Sequence, residues 1–409
     1  MSGLFGSRWV EAPQHATELE ETLLPAGIRA AGVAAGLKPE GVDVGVLFSD
    51  VSETVSAARF TTNARVGAPV TASREAELAR LRAVVANAGG SNTGDGQRGL
   101  ETAYATQRVA AELLRIEPSQ VGVASTGVIG SELPREPLLA GVRTAIEGLG
   151  EDADAFSRAI LTSDRGPKRA CLQVELPGGT VRLAAQAKGA GMISPRFATM
   201  FCFVQTDALL SAATLDLLTG VTVKRSFDRI SVDGQLSTSD TVFALANGAS
   251  GVRVEPESED ELRLGEVMDA LLRGLALQIV ADGEGSKRVG RIVVRGGGEV
   301  VEPVARSIAN SNLVKTALHG ADPNFGRILQ AAGAVYPPGN GFVADLEIEG
   351  RTVVSAGEAV IDDLHELEPL VSGAEVEYVL TLPGSGGETE VFFSDLSPDY
   401  VVFNSEYTS

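Results

Sequence analysis

The sequence predicts a layered α/β protein in which several strands follow one another directly along the chain. Short apolar runs bounded by turn residues predict buried strands at residues 42–50, 82–87, 121–125, 171–175, 180–185 and 199–206. Because the last three runs have no helix between them, an α+β or layered α/β body is favoured over a doubly wound parallel sheet.

The spacing of apolar residues predicts the helices between and after these strands. The predicted helices cover residues 100–114, 135–149, 154–161, 259–279 and 303–318. The longest of them begins after Ser258 and has Glu261 three residues later, which predicts a capping box. A strand at 291–295 and a strand-rich tail follow, and the glycines at 296–298 are the best candidate for a hinge.

Length and composition restrict the class of protein. The 409 residues suffice for two or three domains or one large layered body, and 44% hydrophobic with 22% charged residues is typical of a globular enzyme. No apolar run reaches the roughly 18 residues of a membrane span, and the N-terminus has no signal-peptide pattern, which predicts a cytoplasmic protein. A net charge of −20 and the lack of basic blocks predict neither a nucleic-acid nor a membrane partner.

Cysteine and histidine are scarce and scattered. The two cysteines are Cys171 and Cys202, and the three histidines are His15, His319 and His365. Neither a disulfide scaffold nor a zinc cluster fits this spacing, and the apolar surroundings of Cys202 favour a core position. His319 is predicted in a loop flanked by glycine. We therefore expect an enzyme without a metal and without a histidine-based triad.

Residues 188–200, KGAGMISPRFATM, carry the most specific signal. Two glycines and Pro195 bend the chain tightly beside a small-residue bond, Ala198–Thr199. Such a bond permits an N-to-O acyl shift, after which hydrolysis leaves a chain that begins with Thr199. The new α-amine, with an ordinary pKa of about 7.7–8.0, can then act as base for the adjacent hydroxyl. On spacing alone, an ordinary turn between two strands is the alternative.

This stretch resembles the processing site of the ornithine acetyltransferase (glutamate N-acetyltransferase) family of arginine biosynthesis. The resemblance covers nearly the whole chain through the motifs GIRAAGVAAGLKPEGVDVGVLFSD (27–50), RFTTN (59–63), ASTGVIG (124–130), SFDRISVDGQLSTSDTVFALANG (226–248), DGEG (282–285), VKTALHGADPNFGR (314–327) and NSEYTS (404–409). The chain departs from the family pattern at Arg196 and Phe197, where Asn-Met is more common, at Phe325, where Trp is usual, and in NAGGSNTG (87–94).

The resemblance implies a fold related to N-terminal-nucleophile amidohydrolases and self-cleavage between Ala198 and Thr199. The products would be an alpha fragment of residues 1–198 and a beta fragment of residues 199–409, two of each forming a heterotetramer. Within the second fragment, we expect a smaller C-terminal domain from about residue 299.

The family pattern also implies roles for individual residues. Thr199 would be the nucleophile, and Thr126 with Gly127 would form the oxyanion hole. For Thr126 and Gly127 the alternative is an ordinary strand end without a catalytic role. Lys188 would bind substrate, against the alternative of a surface lysine. Thr162 would contact substrate, or would cap a helix end.

Three further positions come from the second fragment. Glu284, between two glycines, would pair with a substrate ammonium, or would be a solvated loop residue. Asn404 and Ser409 would reach the active site from a tail that composition alone predicts to be disordered. Residues 322–327 would open a helix and support the site.

The implied reaction is a ping-pong transfer of the acetyl group from N2-acetyl-L-ornithine to L-glutamate through an ester on Thr199, within the cyclic arginine pathway. No cofactor is expected, and acetyl-CoA stays open as an alternative acyl donor. Three other hypotheses for the function remain: a paralogue that acylates other amino acids, an N-terminal-nucleophile amidohydrolase or aminopeptidase, and an unprocessed protein without activity. Glutamate accelerates turnover only in a transferase, and only the inactive protein stays uncleaved.

Overall fold

The structure is a computed structural model that describes residues 3–194, 200–339 and 341–406. Its strands are β1 (Ala16–Glu18), β2 (Ile28–Val33), β3 (Val44–Ser49), β4 (Val55–Phe60), β5 (Ala83–Asn87), β6 (Val121–Ser125), β7 (Lys168–Leu176), β8 (Gly179–Lys188), β9 (Phe201–Thr206), β10 (Ile230–Ser231), β11 (Thr241–Ala246), β12 (Val289–Arg295), β13 (Asp345–Ile348), β14 (Arg351–Ser355), β15 (Glu358–Ala359), β16 (Glu375–Thr381) and β17 (Glu388–Ser394). Its α-helices are α1 (Ala68–Arg74), α2 (Gly96–Leu114), α3 (Arg135–Glu147), α4 (Asp154–Ala159), α5 (Ala212–Arg225), α6 (Glu259–Ala281), α7 (Val301–Ala309), α8 (Asn312–Gly320), α9 (Gly326–Gly333) and α10 (Pro398–Glu406).

A six-stranded sheet forms the centre of the molecule, with the order β1-β7-β8-β9-β11-β4. The consecutive strands β7, β8 and β9 are antiparallel neighbours, and β9 is parallel to β11. Lys188 at the end of β8 is paired with Phe201 at the start of β9. The two ends of the segment predicted to be cleaved therefore lie side by side, at the same end of two neighbouring strands inside this sheet.

A four-stranded sheet, β2-β3-β5-β6, faces the central sheet across a layer of aromatic and aliphatic side chains. Phe203 and Phe243 of the central sheet are fully buried in this layer, and the Phe203 ring meets Phe156 edge to face at 5.0 Å. Burial on both sides explains why β3, β5 and β6 are continuous apolar runs. Thr126, which directly follows β6, lies beside Lys188 at the end of β8.

Helix α6 covers the opposite face of the central sheet, where it shares a core with β7, β8 and β9. The side chain of Ser258 accepts a hydrogen bond from the amide of Glu261 at 3.2 Å, as a helix cap does. The carboxylate of Glu261 accepts from the amide of Glu257, not from that of Ser258. The predicted capping box is therefore only half formed.

A seven-stranded sheet, β10-β17-β12-β16-β13-β14-β15, forms with helices α7 to α9 a separate C-terminal core. The single predicted helix 303–318 is wrong, because the chain breaks at Asn310 and the Ser311 hydroxyl caps a new helix, α8. His319 accordingly lies in the last turn of α8 and not in a loop. The expected helix opening at 322–327 is confirmed by α9.

The layered α/β class is confirmed by these three sheets and their helices. The glycines at 296–298 form a turn with φ of +72°, +70° and +61°, in which the amides of Gly296 and Gly298 donate hydrogen bonds to the carbonyls of Gly387 and Gly386. The predicted fragment and domain bounds stay predictions. Within the part of the chain that the structure describes, no helix is long and apolar enough to cross a membrane.

Candidate active site

A cavity lies beside the ends of β6 and β8. Its other walls are the loop before β11, the loop after α6 and the C-terminal helix α10. Polar and small side chains dominate its wall, which is formed by Ser91, Thr126, Gly127, Ile129, Thr162, Ser163, Gly191, Met192, Asp233, Gln235, Ser237, Thr238, Ser239, Glu284, Tyr400 and Asn404. The predicted residues Thr126, Gly127, Thr162, Glu284 and Asn404 are thus brought together in one cavity.

Thr126 and Gly127 present one hydroxyl and one amide to this cavity. The Thr126 amide donates to the carbonyl of Asn87 at 3.0 Å, which fixes the turn directly after β6. Gly127 has a φ of +122°, and a Cβ there would lie 2.7 Å from the carbonyl carbon of Gly89. Only glycine fits this position. Among the described residues no group accepts a hydrogen bond from the Gly127 amide.

Lys188 is fully buried behind the cavity wall and is not a surface lysine, since only 2% of it is exposed. Its Nζ donates to the hydroxyl oxygen of Thr162 at 2.7 Å and to that of Thr126 at 3.4 Å. Burial lowers the pKa of Lys188, while the carboxylate of Asp164, 3.9 Å away, opposes that change. Lys188 therefore reaches the cavity through two threonine hydroxyls.

Asp164 was not singled out by the sequence, although it follows the predicted Thr162 by two residues. Its side chain is fully buried and accepts hydrogen bonds from Nζ of Lys168 at 2.7 Å and from the amide of Gly189 at 2.6 Å. Burial alone would raise the pKa of Asp164, but Lys168 and Lys188 bring it down to about 2. The carboxylate is therefore charged.

Glu284 is held in place and is not a solvated loop residue. Its carboxylate accepts from the Ser163 hydroxyl at 2.6 Å and from the Asn404 side-chain amide at 2.8 Å. A Cβ on Gly191 would lie 2.4 Å from this carboxylate, so the glycine leaves the space that Glu284 occupies. The cavity consequently has a fixed anionic group at one end.

The C-terminal tail is helical up to residue 406 and adds to the cavity wall. Tyr400 donates its hydroxyl hydrogen to Asp233 at 3.1 Å, and Asn404 lies one turn further along α10. Residues 398–406 thus form a helix and not the disordered tail that composition alone would predict. Ala198, Thr199 and Ser409 lie outside the described residues, so the nucleophile and the cleavage bond keep the status of predictions.

Two aspartates of the SVDGQLSTSD motif hold the chain on either side of residues 195–199. The carboxylate of Asp233 accepts from the amides of Met192 and Ile193 at 2.7 and 2.8 Å. The carboxylate of Asp240 accepts from the amide of Met200 at 3.1 Å. Burial raises the pKa of Asp240 to about 8, against the opposing effect of its hydrogen bonds and of Lys188. The quoted motif was the available signal for both residues, but it did not indicate their roles.

The similarity of the chain to known proteins decides its family. The ArgJ family model matches residues 29–409, which is nearly the whole sequence. The chain belongs to the ArgJ family. The arginine biosynthesis bifunctional protein ArgJ of Symbiobacterium thermophilum is 40% identical over 94% of this chain and 97% of that protein. ArgJ of Nitratidesulfovibrio vulgaris is also 40% identical, over 94% of this chain and 99% of that protein.

One solved structure similar to the chain is ornithine acetyltransferase from Mycobacterium tuberculosis in complex with ornithine. It is 33% identical and aligns with 44% of this chain and 98% of that chain, with a TM-score of 0.41. The family recognised from the sequence motifs is therefore confirmed by the ArgJ family model and by the curated relatives.

Neither cysteine and none of the three histidines of this ArgJ-family chain lines the cavity. Among the described residues, no group of three His, Cys, Asp or Glu side chains could hold a metal ion. Cys202 is fully buried in β9, and burial raises the pKa of its thiol, so the predicted core position is confirmed. His319 contacts the carboxylate of Asp395 at 2.6 Å, outside the cavity wall.

Proposed function

We propose that the protein transfers the acetyl group of N2-acetyl-L-ornithine to L-glutamate through an ester on Thr199. The observation that carries this proposal is that Thr126, Gly127 and the fixed carboxylate of Glu284 line one cavity. The enzyme class, an acetyltransferase of arginine biosynthesis, is that of the ArgJ family to which the chain belongs.

The first chemical event is self-cleavage. The Thr199 hydroxyl attacks the carbonyl carbon of Ala198, the C–N bond breaks, and the nitrogen gains the proton that the hydroxyl loses. Water then hydrolyses the ester to give the Ala198 carboxylate and a Thr199 with a free amine and hydroxyl. Asp233 and Asp240 support this step because they fix the amides on both sides of residues 195–199.

In the transfer reaction the Thr199 amine takes the hydroxyl proton while the oxygen attacks the acetyl carbonyl. The Thr126 hydroxyl and the Gly127 amide stabilise the developing oxyanion, and each such donor contributes about 2.7–4 kcal/mol. Ornithine leaves with a proton from the Thr199 ammonium. The amine of glutamate then attacks the ester and restores the free hydroxyl.

Substrate recognition follows from the charges of the cavity. The Glu284 carboxylate pairs with an ammonium such as the one that acetylornithine carries, and Asn404 holds Glu284 in position. Thr162 and Ser409 contribute further polar contacts, and Lys188 supplies positive potential behind Thr126 and Thr162. The reaction needs no cofactor, and acetyl-CoA is an alternative acyl donor.

The same proposal covers assembly and location. Two fragments of residues 1–198 and two of residues 199–409 form the enzyme, which acts in the cytoplasm on small-molecule amino acids. Support comes from β8 and β9: they lie next to each other in one sheet, so the two fragments stay joined after cleavage.

The decisive experiment is intact-protein mass spectrometry of the wild type and of Thr199→Ala, followed by assays with acetylornithine. We expect two fragments split at Ala198–Thr199 in the wild type and one chain in the variant. A single species of 42.4 kDa in both would overturn the proposal. Acetate release without any effect of glutamate would identify an amidohydrolase, and a preference for other acceptors would identify a specialised paralogue.

A further inference from the structure

Lys188 lies one layer behind the cavity, and its chemistry restricts the two hydroxyls that it contacts. An ammonium group has three hydrogens to donate and cannot accept. The oxygens of Thr162 and Thr126, at 2.7 and 3.4 Å from Nζ, are therefore acceptors. Each threonine must direct its own hydrogen to another partner.

The cavity is where those two hydrogens go. Thr126 and Thr162 both line it, and neither hydroxyl donates to another group among the residues that the structure describes. As long as Lys188 is charged, both threonines present donors to a ligand oxygen. A neutral lysine could instead accept a hydrogen from either hydroxyl and so remove a donor from the cavity.

Asp164 is the group that stabilises the charge on Lys188. A buried ammonium is costly unless a carboxylate compensates it. Asp164 is 3.9 Å from Nζ of Lys188. It also accepts hydrogen bonds from the amide of Thr162, whose hydroxyl contacts Lys188, and from the amide of Gly189, the residue after Lys188. Lys168 contacts both Asp164 and Asp282, at 2.7 and 2.6 Å, so it competes with Lys188 for the same carboxylate.

We propose that Asp164 is a positioning residue for acetyl transfer: it keeps Lys188 a charged donor, and Lys188 thereby directs the Thr126 and Thr162 hydroxyl hydrogens into the cavity. The inference deepens the proposed function and rests on it, because directed donors matter only where an oxyanion forms.

The charged groups around Lys188 set the direction of the expected pH effects. Burial lowers the pKa of Lys188, Asp164 raises it, Lys168 lowers it, and Asp240 and Glu284 raise it. Neutralising Asp164 removes the largest opposing charge, so Lys188 loses its proton at lower pH. Neutralising Lys168 has the opposite effect, because it removes a competing cation.

The experiment measures kcat and KM for acetyl transfer between pH 6 and 10 in the full-length, self-processed enzyme and in Asp164→Asn. We expect the alkaline limb of kcat to move down by at least about one pH unit, with a loss of about a hundredfold where Lys188 is neutral, as for one oxyanion donor. Towards pH 6 the loss should shrink, and KM should change little. Asp164→Glu, which keeps the charge, should restore the wild-type limb.

Asp207→Asn is the matched control, because Asp207 is buried in the same way and accepts two backbone amides, yet does not face Lys188. Any loss of kcat in Asp207→Asn should be the same at every pH, and the alkaline limb should stay where it is in the wild type. An equal loss at every pH in Asp164→Asn would overturn the inference and leave a structural role only.

Mass spectrometry and thermal melting show whether Asp164→Asn is processed and folded. If it is not, Lys168→Gln tests the same inference. In Lys168→Gln the alkaline limb should move to higher pH, and a limb that stays or moves down would overturn the inference. These results differ from failure of the proposed function, in which the wild type itself transfers no acetyl group from acetylornithine at any pH.

Discussion

Gly191→Ala tests the role of Glu284 without changing any polar group. The three atoms nearest to a Cβ built on Gly191 all belong to the Glu284 carboxyl group, at 2.4, 2.5 and 2.6 Å. The backbone of Gly191 does not lie in the left-handed region, so alanine causes no conformational strain of its own. The new methyl group must displace the carboxylate, which then loses its bonds to Ser163 and Asn404.

The expected result is a higher KM for acetylornithine with a nearly constant kcat. A hydrogen bond or ion pair to a charged group contributes about 1.5–3 kcal/mol, and 1.4 kcal/mol corresponds to a factor of ten. We therefore expect KM to rise about 10- to 100-fold. Steady-state kinetics at constant pH, on protein shown by mass spectrometry to be fully processed, give both parameters.

Gly166→Ala is the matched control. It lies three residues after Ser163 in the chain, its backbone is likewise outside the left-handed region, and a Cβ there meets no atom within 4 Å. Its kinetics should equal those of the wild type. If Gly191→Ala is folded and processed but keeps the wild-type KM, Glu284 does not bind the substrate ammonium and the reasoning is refuted.

Three further predictions concern the oxyanion donor, a buried carboxyl group and a helix cap. Thr126→Val keeps the shape but removes the hydroxyl, so kcat should fall about 10²- to 10³-fold in initial-rate assays with KM nearly unchanged; a loss confined to KM would contradict this. Burial raises the pKa of Asp240 to about 8, so the folded state retains a proton that the unfolded state releases. That stabilisation is complete below about pH 4 and is lost as pH rises through about 8, by up to about 1.4 kcal/mol per pH unit. Urea unfolding between pH 5 and 8 should therefore show a weaker pH dependence in Asp240→Asn than in the wild type, and equal slopes would refute the assignment. Ser258→Ala removes the cap of α6 and should lower the free energy of unfolding by about 1 kcal/mol in the same assay, whereas an unchanged midpoint would exclude a capping contribution.

Local patterns predicted most of the elements because each pattern depends on neighbours in the chain. Strand β6 was predicted with its observed bounds, and the start of α6 at residue 259 followed from Ser258 and Glu261. The break between α7 and α8 was missed although Ser311 is a typical N-cap residue. The apolar residues on both sides of Asn310 keep a helical spacing, so periodicity alone joined the two helices.

The sequence by itself determined the layered α/β class, the family and the identity of the residues that now surround one cavity: Thr126, Gly127, Thr162, Glu284 and Asn404. Only the tertiary structure decided how they are held. Ser163 and Glu284 are 121 residues apart, and Asn404 and Glu284 are 120 apart, so no local pattern encodes their contacts.

The buried charges depend on the tertiary structure in the same way. Among 54 acidic residues, nothing in the sequence distinguishes Asp164, and the motif that contains Asp240 does not indicate its role. Their importance arises from burial beside Lys188 and beside the Met200 amide, since desolvation makes one charge or one hydrogen bond count for far more there than at the surface. Burial is a property of the packed layers, and it exists only once the sheet that contains β6 has packed against the sheet that contains β8 and β11.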